Sequence, residues 1–131
     1  MIYLLDVNAL LALGIDEHEF HQRTVKWVKQ VAPHAAFATC AITELGFLRV
    51  LLQAYSATTV PLGQKLLMLL KSSRLVRYQF LADDQDTMQL PAWVQWPNQI
   101  TGGHLMALAK AHNAALASLD QSIRGAFIIP R

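Results

Sequence analysis

An unbroken apolar run, residues 2–5, begins the chain and ends at the carboxylate of Asp6. Such a run is typical of a strand covered on both faces in a parallel sheet, because a strand with one wet face alternates polar and apolar residues. If this strand is central, Asp6 lies at the carboxyl edge of the sheet, where open α/β folds bind their ligands. Because a buried carboxylate is costly without a positive partner, Asp6 is the first candidate functional residue.

The rest of the sequence alternates between strand-like and helix-like segments. Strands that alternate with helices predict an α/β fold with a parallel sheet and right-handed crossovers. Five consecutive Leu and Met residues, 66–70, predict that the fourth helix is heavily buried. Further strands are predicted at residues 35–40, 75–81, 114–119 and 127–129. Helices are predicted at residues 8–13, from Asp16 or Glu17 to residue 31, and at residues 42–54, 62–71 and 104–112.

The composition predicts one domain, residues 1–131, in a soluble cytoplasmic protein. Apolar residues make up 53% of the chain and charged residues only 15%, against about 25% charged in an average globular protein. This balance favours a large core and an interface with another chain. No apolar stretch approaches the roughly 20 residues that cross a bilayer, and the single cysteine cannot form an internal disulfide. The net charge of +2 is compatible with nucleic-acid binding without demonstrating it.

Two further carboxylates lie in surroundings like those of Asp6. Asp120 also follows an apolar strand-like run, and Glu44 belongs to an apolar stripe of the helix predicted at residues 42–54. If the first and fourth strands are neighbours and this helix packs across them, the three acids converge. Several converging carboxylates without a matching basic group form an oxygen site for a hard divalent cation, Mg²⁺ or Mn²⁺. The apolar neighbours of Glu44 on the helix are Phe47, Leu48 and Leu51.

Each of these residues also has a simpler explanation. An Asp at a strand end is commonly a turn residue or a helix cap. Glu44 could form a buried ion pair with Arg49 or a lysine that has no catalytic meaning. Asn8 could hold a water molecule on the metal or begin the next helix as its cap, and the capping interpretation is favoured.

Four segments of the chain resemble the PIN-domain family, and within it the VapC-type toxins of bacterial toxin–antitoxin pairs. They cover nearly the full chain, in the family's order and at family-like spacing. The resemblance implies a three-layer α/β/α PIN-like fold with a central, mainly parallel sheet. The segments are residues 2–12 (IYLLDVNALLA), 38–49 (ATCAITELGFLR), 100–109 (ITGGHLMALA) and 114–120 (AALASLD).

The same resemblance implies a Mg²⁺-dependent endoribonuclease that leaves 5′-phosphate and 3′-hydroxyl ends. It places the catalytic and metal-binding acids at Asp6, Glu44 and Asp120, with Ser118 as the small hydroxyl residue before the last acid and Thr101 at the opening of the late helix. It also implies a partner antitoxin that covers the site, and commonly a homodimer.

The sequence departs from the family at Gly102. Family members usually carry an aspartate directly after the threonine that opens the late helix, whereas here Thr101 is followed by Gly102 and Gly103. Two glycines in a first helical turn cost roughly 1 kcal/mol each relative to alanine. The alternative is therefore a weakened or inactive PIN-like module that only binds an antitoxin or RNA. A phosphotransfer domain with Asp6 as the acceptor is disfavoured. Such a domain would need a second acid directly after the first strand and a lysine at the end of a late strand, and the sequence has neither.

Most side chains that could contact RNA have a second interpretation. Trp93 and Trp96 could stack bases, although packing or a protein interface is favoured in so apolar a chain. His104 could touch substrate, although local packing or capping is favoured, and the acidic loop at residues 83–86 is interpreted as solvated. The densest basic group, which is either a phosphate-binding patch or an ordinary solvated surface, consists of Lys71, Arg74 and Arg77.

Overall fold

The computed structural model describes residues 1–131 and contains a five-stranded sheet in the order β3-β2-β1-β4-β5. All four strand pairs are parallel, so the predicted α/β architecture is confirmed. The strands are β1 (Ile2–Leu5), β2 (Ala36–Cys40), β3 (Arg77–Leu81), β4 (Ala115–Ser118) and β5 (Phe127–Ile128). The helices are α1 (Val7–Gly14), α2 (His21–Val31), α3 (Ala41–Ala54), α4 (Val60–Lys71) and α5 (Pro97–Ala111), with a short 3₁₀ helix at Thr87–Gln89.

Helices cover the sheet on both faces, which gives the three layers expected from the resemblance. Neighbouring residues of a strand point to opposite faces, so Leu5 packs under α1 to α4 and Leu4 packs under α5. The first core includes Trp27 of α2 and Phe47 of α3, and the second includes Leu105 of α5. β1 is therefore covered on both faces, which explains its unbroken apolar sequence.

The register of the sheet determines which residues meet at its carboxyl edge. β1 is the middle strand, and Leu5 lies opposite Ala117 of β4. One residue further on, the backbone N–H of Asp6 donates to the carbonyl of Ala117 at 3.0 Å. The end of β1 and the end of β4 therefore meet, and each is followed by an acidic residue.

Two helices begin four or more residues away from their predicted starts. α2 starts at His21, because the residues that precede it form turns and His21 Nδ1 lies 2.7 Å from the carbonyl of Ala12. α5 starts at Pro97, about two turns before residue 104, because proline is accepted in a first turn and Gln99 Oε1 accepts the N–H of Trp96 at 3.1 Å. The glycine pair thus lies inside α5 rather than in its first turn.

The heavy burial predicted for α4 is wrong. Only Gly63 and Leu67 are buried, whereas Met68 and Leu69 are more than half exposed. A Cβ atom at position 63 would lie 2.6 Å from Leu48 of α3, so the glycine allows the two helices to approach closely. This close contact uses one face of α4 and leaves an apolar face outside. The structure contains no helix with the length and hydrophobicity of a transmembrane segment.

Candidate functional site

Asp6 holds the junction between β1 and α1. It is the N-cap of α1, where its Oδ1 atom accepts the N–H of Val7 at 2.8 Å, and its Oδ2 atom accepts the hydroxyl of Ser118 at 2.7 Å. The residue is only 9% exposed. Burial raises the pKa of Asp6 above the ordinary 3.8, the bonds from Ser118 and Val7 oppose that rise, and the negative charge of Asp120 adds to it.

Ser118 connects the residues at this edge. Its fully buried hydroxyl donates to Asp6 and accepts the side-chain amide of Asn8 at 3.1 Å and the backbone N–H of Asp120 at 3.0 Å. The Asn8 carbonyl in turn accepts the N–H of Leu119 at 3.0 Å. The capping role favoured for Asn8 is wrong, because Asp6 occupies the cap and Asn8 instead ties α1 to the end of β4. Ser118 and Asn8 thus fix the two strand ends to each other.

Asp120 is the exposed member of the group. Its Oδ1 atom accepts the N–H of Ser122 at 2.9 Å and the Ser122 hydroxyl at 2.7 Å, while Oδ2 accepts no hydrogen bond. Neither Asp6 nor Asp120 takes part in any of the three ion pairs of the structure. Turn and cap bonds are therefore present, as the simpler explanation expects, but neither of the two neighbouring carboxylates is paired with a basic side chain.

The carboxylate of Glu44 does not join this group. It accepts Lys71 Nζ at 2.8 Å through Oε1 and at 2.7 Å through Oε2, and it also accepts the hydroxyls of Thr39 and Tyr78. The lysine alternative is thus the one that occurs, and pairing with Arg49 is wrong. Since the Glu44 carboxylate is turned to Lys71, no group of three His, Cys, Asp or Glu side chains is arranged to hold a metal ion.

The backbone of Glu44 nevertheless lies near the site. Glu44 is in the first turn of α3, which begins directly after β2, the neighbour of β1. Two residues further on, a Cβ atom at Gly46 would lie 2.5 Å from a methyl group of Val7, the residue that follows Asp6. The second turn of α3 therefore packs against the first turn of α1.

Position 102 lies near the loop that carries Asp120. A Cβ atom at Gly102 would lie 3.3 Å from Ile123, whose N–H bonds to the carbonyl of Asp120 at 3.4 Å. Gly103 is required by packing, because a Cβ atom there would lie 2.2 Å from Val94. Thr101 is exposed on the same helix.

His104 has a partner that sequence reasoning missed. Its Nε2 atom lies 2.5 Å from Oδ2 of Asp83, in the loop after β3 that was expected to be solvated. Although burial favours the neutral acid, the bonds from His104 and from the N–H of Gln85 hold the pKa of Asp83 below its usual value. The pair ties the loop after β3 to α5, which agrees with the packing interpretation of His104. Nothing in the sequence links two residues so far apart.

The oxygen atoms at the edge suit a hard divalent cation. Asp6 and Asp120 supply two carboxylates with uncompensated charge, and Asn8 and Ser118 supply neutral oxygens beside them. Mg²⁺ prefers such ligands and usually retains several waters, so few protein ligands suffice. The donor set fits a cation in its chemistry, with Glu44 as the third acid within the same part of the fold.

Comparison with known proteins identifies similar sequences and structures. The chain is 34% identical over 125 residues to ribonuclease VapC38 of Mycobacterium tuberculosis, which covers 92% of this chain and 86% of that protein. It is 31% identical over 124 residues to ribonuclease VapC44 of the same organism, with 92% and 87% covered. No model of a protein family matches.

Two solved structures have the same fold. VapC20 of Mycobacterium tuberculosis, described as a toxin that cleaves the sarcin-ricin loop, superposes with a TM-score of 0.67 at 12% identity over 98% of this chain and 99% of that chain. VapBC2 of Rickettsia felis, bound to a DNA fragment from its promoter, superposes with a TM-score of 0.63 at 16% identity over 96% of both chains. At such identities these structures bear on the fold alone.

Proposed function

Since this chain belongs to the VapC ribonuclease family, we propose that Asp6, Asp120 and Glu44 hold the divalent cation with which it hydrolyses RNA. The protein is an endoribonuclease of the toxin–antitoxin type, and its partners are an RNA substrate and an antitoxin protein. Its α/β fold with a parallel sheet is that of the VapC structures. The relatives favour this enzyme over an inactive binding module.

One observation carries the assignment of the site. Asp6 is buried beside a second carboxylate, its pKa is raised by burial and by Asp120, and no basic side chain forms an ion pair with it. Charge repulsion of this kind is costly in the free protein, and a shared divalent cation removes the cost. The rigid bonds of Ser118 and Asn8 keep both acids at the strand ends, so little reorganisation is needed on binding.

The chain's own residues would divide the work of hydrolysis. Asp6 and Asp120 would hold the cation at the open carboxyl edge, and Ser118, by donating to Oδ2, would oppose the rise that burial causes in the pKa of Asp6. A bound divalent cation supplies charge neutralisation at the scissile phosphate and activation of water for in-line attack at phosphorus. The ester bond to the 3′ oxygen breaks, so the products carry 5′-phosphate and 3′-hydroxyl ends.

Several features extend the proposal. Mg²⁺ is the expected ion, with Mn²⁺ as a substitute of similar ligand preference. Eleven Lys and Arg residues exceed nine acids, and the surplus would meet phosphates. A homodimer and a cytoplasmic location remain predictions.

The test is RNA cleavage in the presence of Mg²⁺, with a chelator and an active-site variant as comparisons. We expect a structured RNA to be cut by the wild-type protein with Mg²⁺, and cleavage to fall at least about 100-fold in Asp6→Asn or with chelator, since metal activation of water carries the step. Asp16→Asn, which removes an exposed acid beyond the C-terminal end of α1, is the matched control and should cleave normally. Cleavage that survives in Asp6→Asn would end the assignment of Asp6.

A further inference from the structure

We propose that Lys71 is a resident counter-ion that competes with the divalent cation for the Glu44 carboxylate. The inference rests on the proposed function, because it assumes a cation at Asp6 and Asp120. Glu44 would then have two positions, one against Lys71 in the metal-free protein and one at the carboxyl edge of the sheet in the metal-bound protein. Lys71 is a positioning residue in this account, because it acts through Glu44.

The ion pair between Glu44 and Lys71 is largely buried and is supported by further hydrogen bonds, unlike an ordinary surface ion pair. Lys71 Nζ lies within 2.8 Å of both carboxylate oxygens, and both side chains are largely buried, with 19% of Glu44 and 24% of Lys71 exposed. Thr39 and Tyr78 donate further hydrogen bonds to Oε2. The ammonium also lies 5.5 Å from the ring of Tyr78 and 5.8 Å from that of Phe80. These contacts together hold the Glu44 carboxylate beside Lys71.

The backbone position of Glu44 makes the second position accessible. Its helix begins directly after β2, and the register that pairs Ala38 of β2 with Leu4 of β1 brings the end of β2 beside Asp6, so the first turn of α3 stands at the carboxyl edge of the sheet. The side chain has three rotatable bonds, so a change of rotamer redirects the carboxylate without moving α3. The Glu44 side chain can therefore adopt two conformations on a fixed helix, one with its carboxylate at Lys71 and one with its carboxylate at the carboxyl edge of the sheet.

Competition follows from the balance of charges. In the metal-free protein, Glu44 gains from Lys71 and avoids two other carboxylates at the edge. A bound cation replaces the repulsion between the carboxylates at the edge by attraction to the ion, but the ion pair with Lys71 must be broken before Glu44 can become a ligand. The ion pair therefore lowers the apparent metal affinity, as any state that excludes the ligand-competent conformation does. Removing Lys71 should raise the affinity.

Calorimetric titration with Mn²⁺ tests this prediction directly. We expect Lys71→Met to bind Mn²⁺ about tenfold more tightly than wild type, a factor that corresponds to roughly 1.4 kcal/mol. Lys65→Met, which removes the same charge from an exposed position of the same helix, is the matched control and should leave the affinity within about twofold. Lys71→Arg keeps the charge and should restore the wild-type affinity.

A double variant shows whether the effect passes through Glu44. In a Glu44→Gln background, Lys71→Met should not change the affinity, because there is no carboxylate left to release. Unchanged or weakened binding in Lys71→Met alone would overturn the inference, since weakening would mean that Lys71 orients Glu44 for the metal. If Lys71→Met does not fold, Tyr78→Phe is the substitute, because it removes the hydroxyl that donates to Glu44. This variant should also bind Mn²⁺ more tightly than wild type, and weaker or unchanged binding would overturn the inference in the same way.

The fate of the ion pair can also be observed without activity. An NMR signal from the Lys71 ammonium should be protected by its bonds to Glu44 in the metal-free protein and should lose that protection when Mg²⁺ is added. A signal that stays protected at saturating Mg²⁺ would overturn the inference while leaving the cation site intact. Absence of any Mn²⁺ binding that depends on Asp6 would instead reject the proposed function.

Discussion

Ser118→Ala should damage the site and the fold together, because one hydroxyl serves three partners. The Ser118 hydroxyl is fully buried, donates to Asp6 at 2.7 Å and accepts from Asn8 and from the N–H of Asp120. Alanine removes only the oxygen atom, so no apolar packing is lost. The variant therefore isolates the hydrogen bonds that hold the end of β4 to the end of β1.

The expected loss can be worked from these contacts. A hydrogen bond to a charged group contributes about 1.5–3 kcal/mol, and a buried donor left without an acceptor adds about 1 kcal/mol. Some relaxation at the edge offsets part of the sum, so we expect the free energy of unfolding to fall by about 2–4 kcal/mol. For a chain of 131 residues this corresponds to a fall in Tm of about 8–16 °C, at about 4 °C per kcal/mol.

Ser122→Ala is the matched control. Ser122 also donates its hydroxyl to a site carboxylate, Oδ1 of Asp120 at 2.7 Å, but it is exposed, so water replaces the lost bond. Its effect should stay within about 0.5 kcal/mol. Urea unfolding followed by circular dichroism, in the presence of a chelator, compares the two variants. Equal losses in both would refute the claim that the buried hydroxyl organises the edge.

Three further predictions concern Asp6 and the glycine pair. Because burial raises the pKa of Asp6 above 3.8, the folded state keeps the Asp6 proton to a higher pH than the unfolded state does, so the contribution of Asp6 to the free energy of unfolding should fall as pH rises from 3.8 through the folded pKa. Urea unfolding should show this as a difference, wild type minus Asp6→Asn, that falls across the range, because Asp83, whose pKa is lowered, contributes equally to both proteins. Gly103→Ala should cost about 1–3 kcal/mol by thermal unfolding because its Cβ meets Val94 at 2.2 Å, and a wild-type Tm would contradict that contact. Gly102→Asp should tighten Mn²⁺ binding by calorimetry and raise cleavage, whereas an unchanged affinity would mean that position 102 does not face the ion.

The strand ends were predictable because they follow from simple rules. An apolar run that stops at Asp6 and another that stops before Asp120 are visible in the sequence, and parallel strands bring their carboxyl ends to one edge. The bond from Ser118 to Asp6 then follows from the register. The sequence could not place Asn8, because only the structure shows that Asp6 already caps α1.

The position of Glu44 was beyond sequence reasoning for a physical reason. An apolar stripe indicates that its helix is buried, but it does not say whether a cation from another helix is closer than the other acids. Lys71 comes from the last turn of α4, and its approach depends on the close packing of α3 and α4 at Gly63. The exposed apolar face of α4 was missed in the same way, since one-sided packing depends on tertiary contacts.

Anomalous scattering from crystals soaked in Mn²⁺ tests the central claim most directly. The account predicts a single strong peak in contact with the carboxylates of Asp6 and Asp120, with the Glu44 side chain turned away from Lys71 and towards the ion. A peak elsewhere, or no peak at the carboxyl edge at saturating Mn²⁺, would contradict the claim that these acids share a divalent cation.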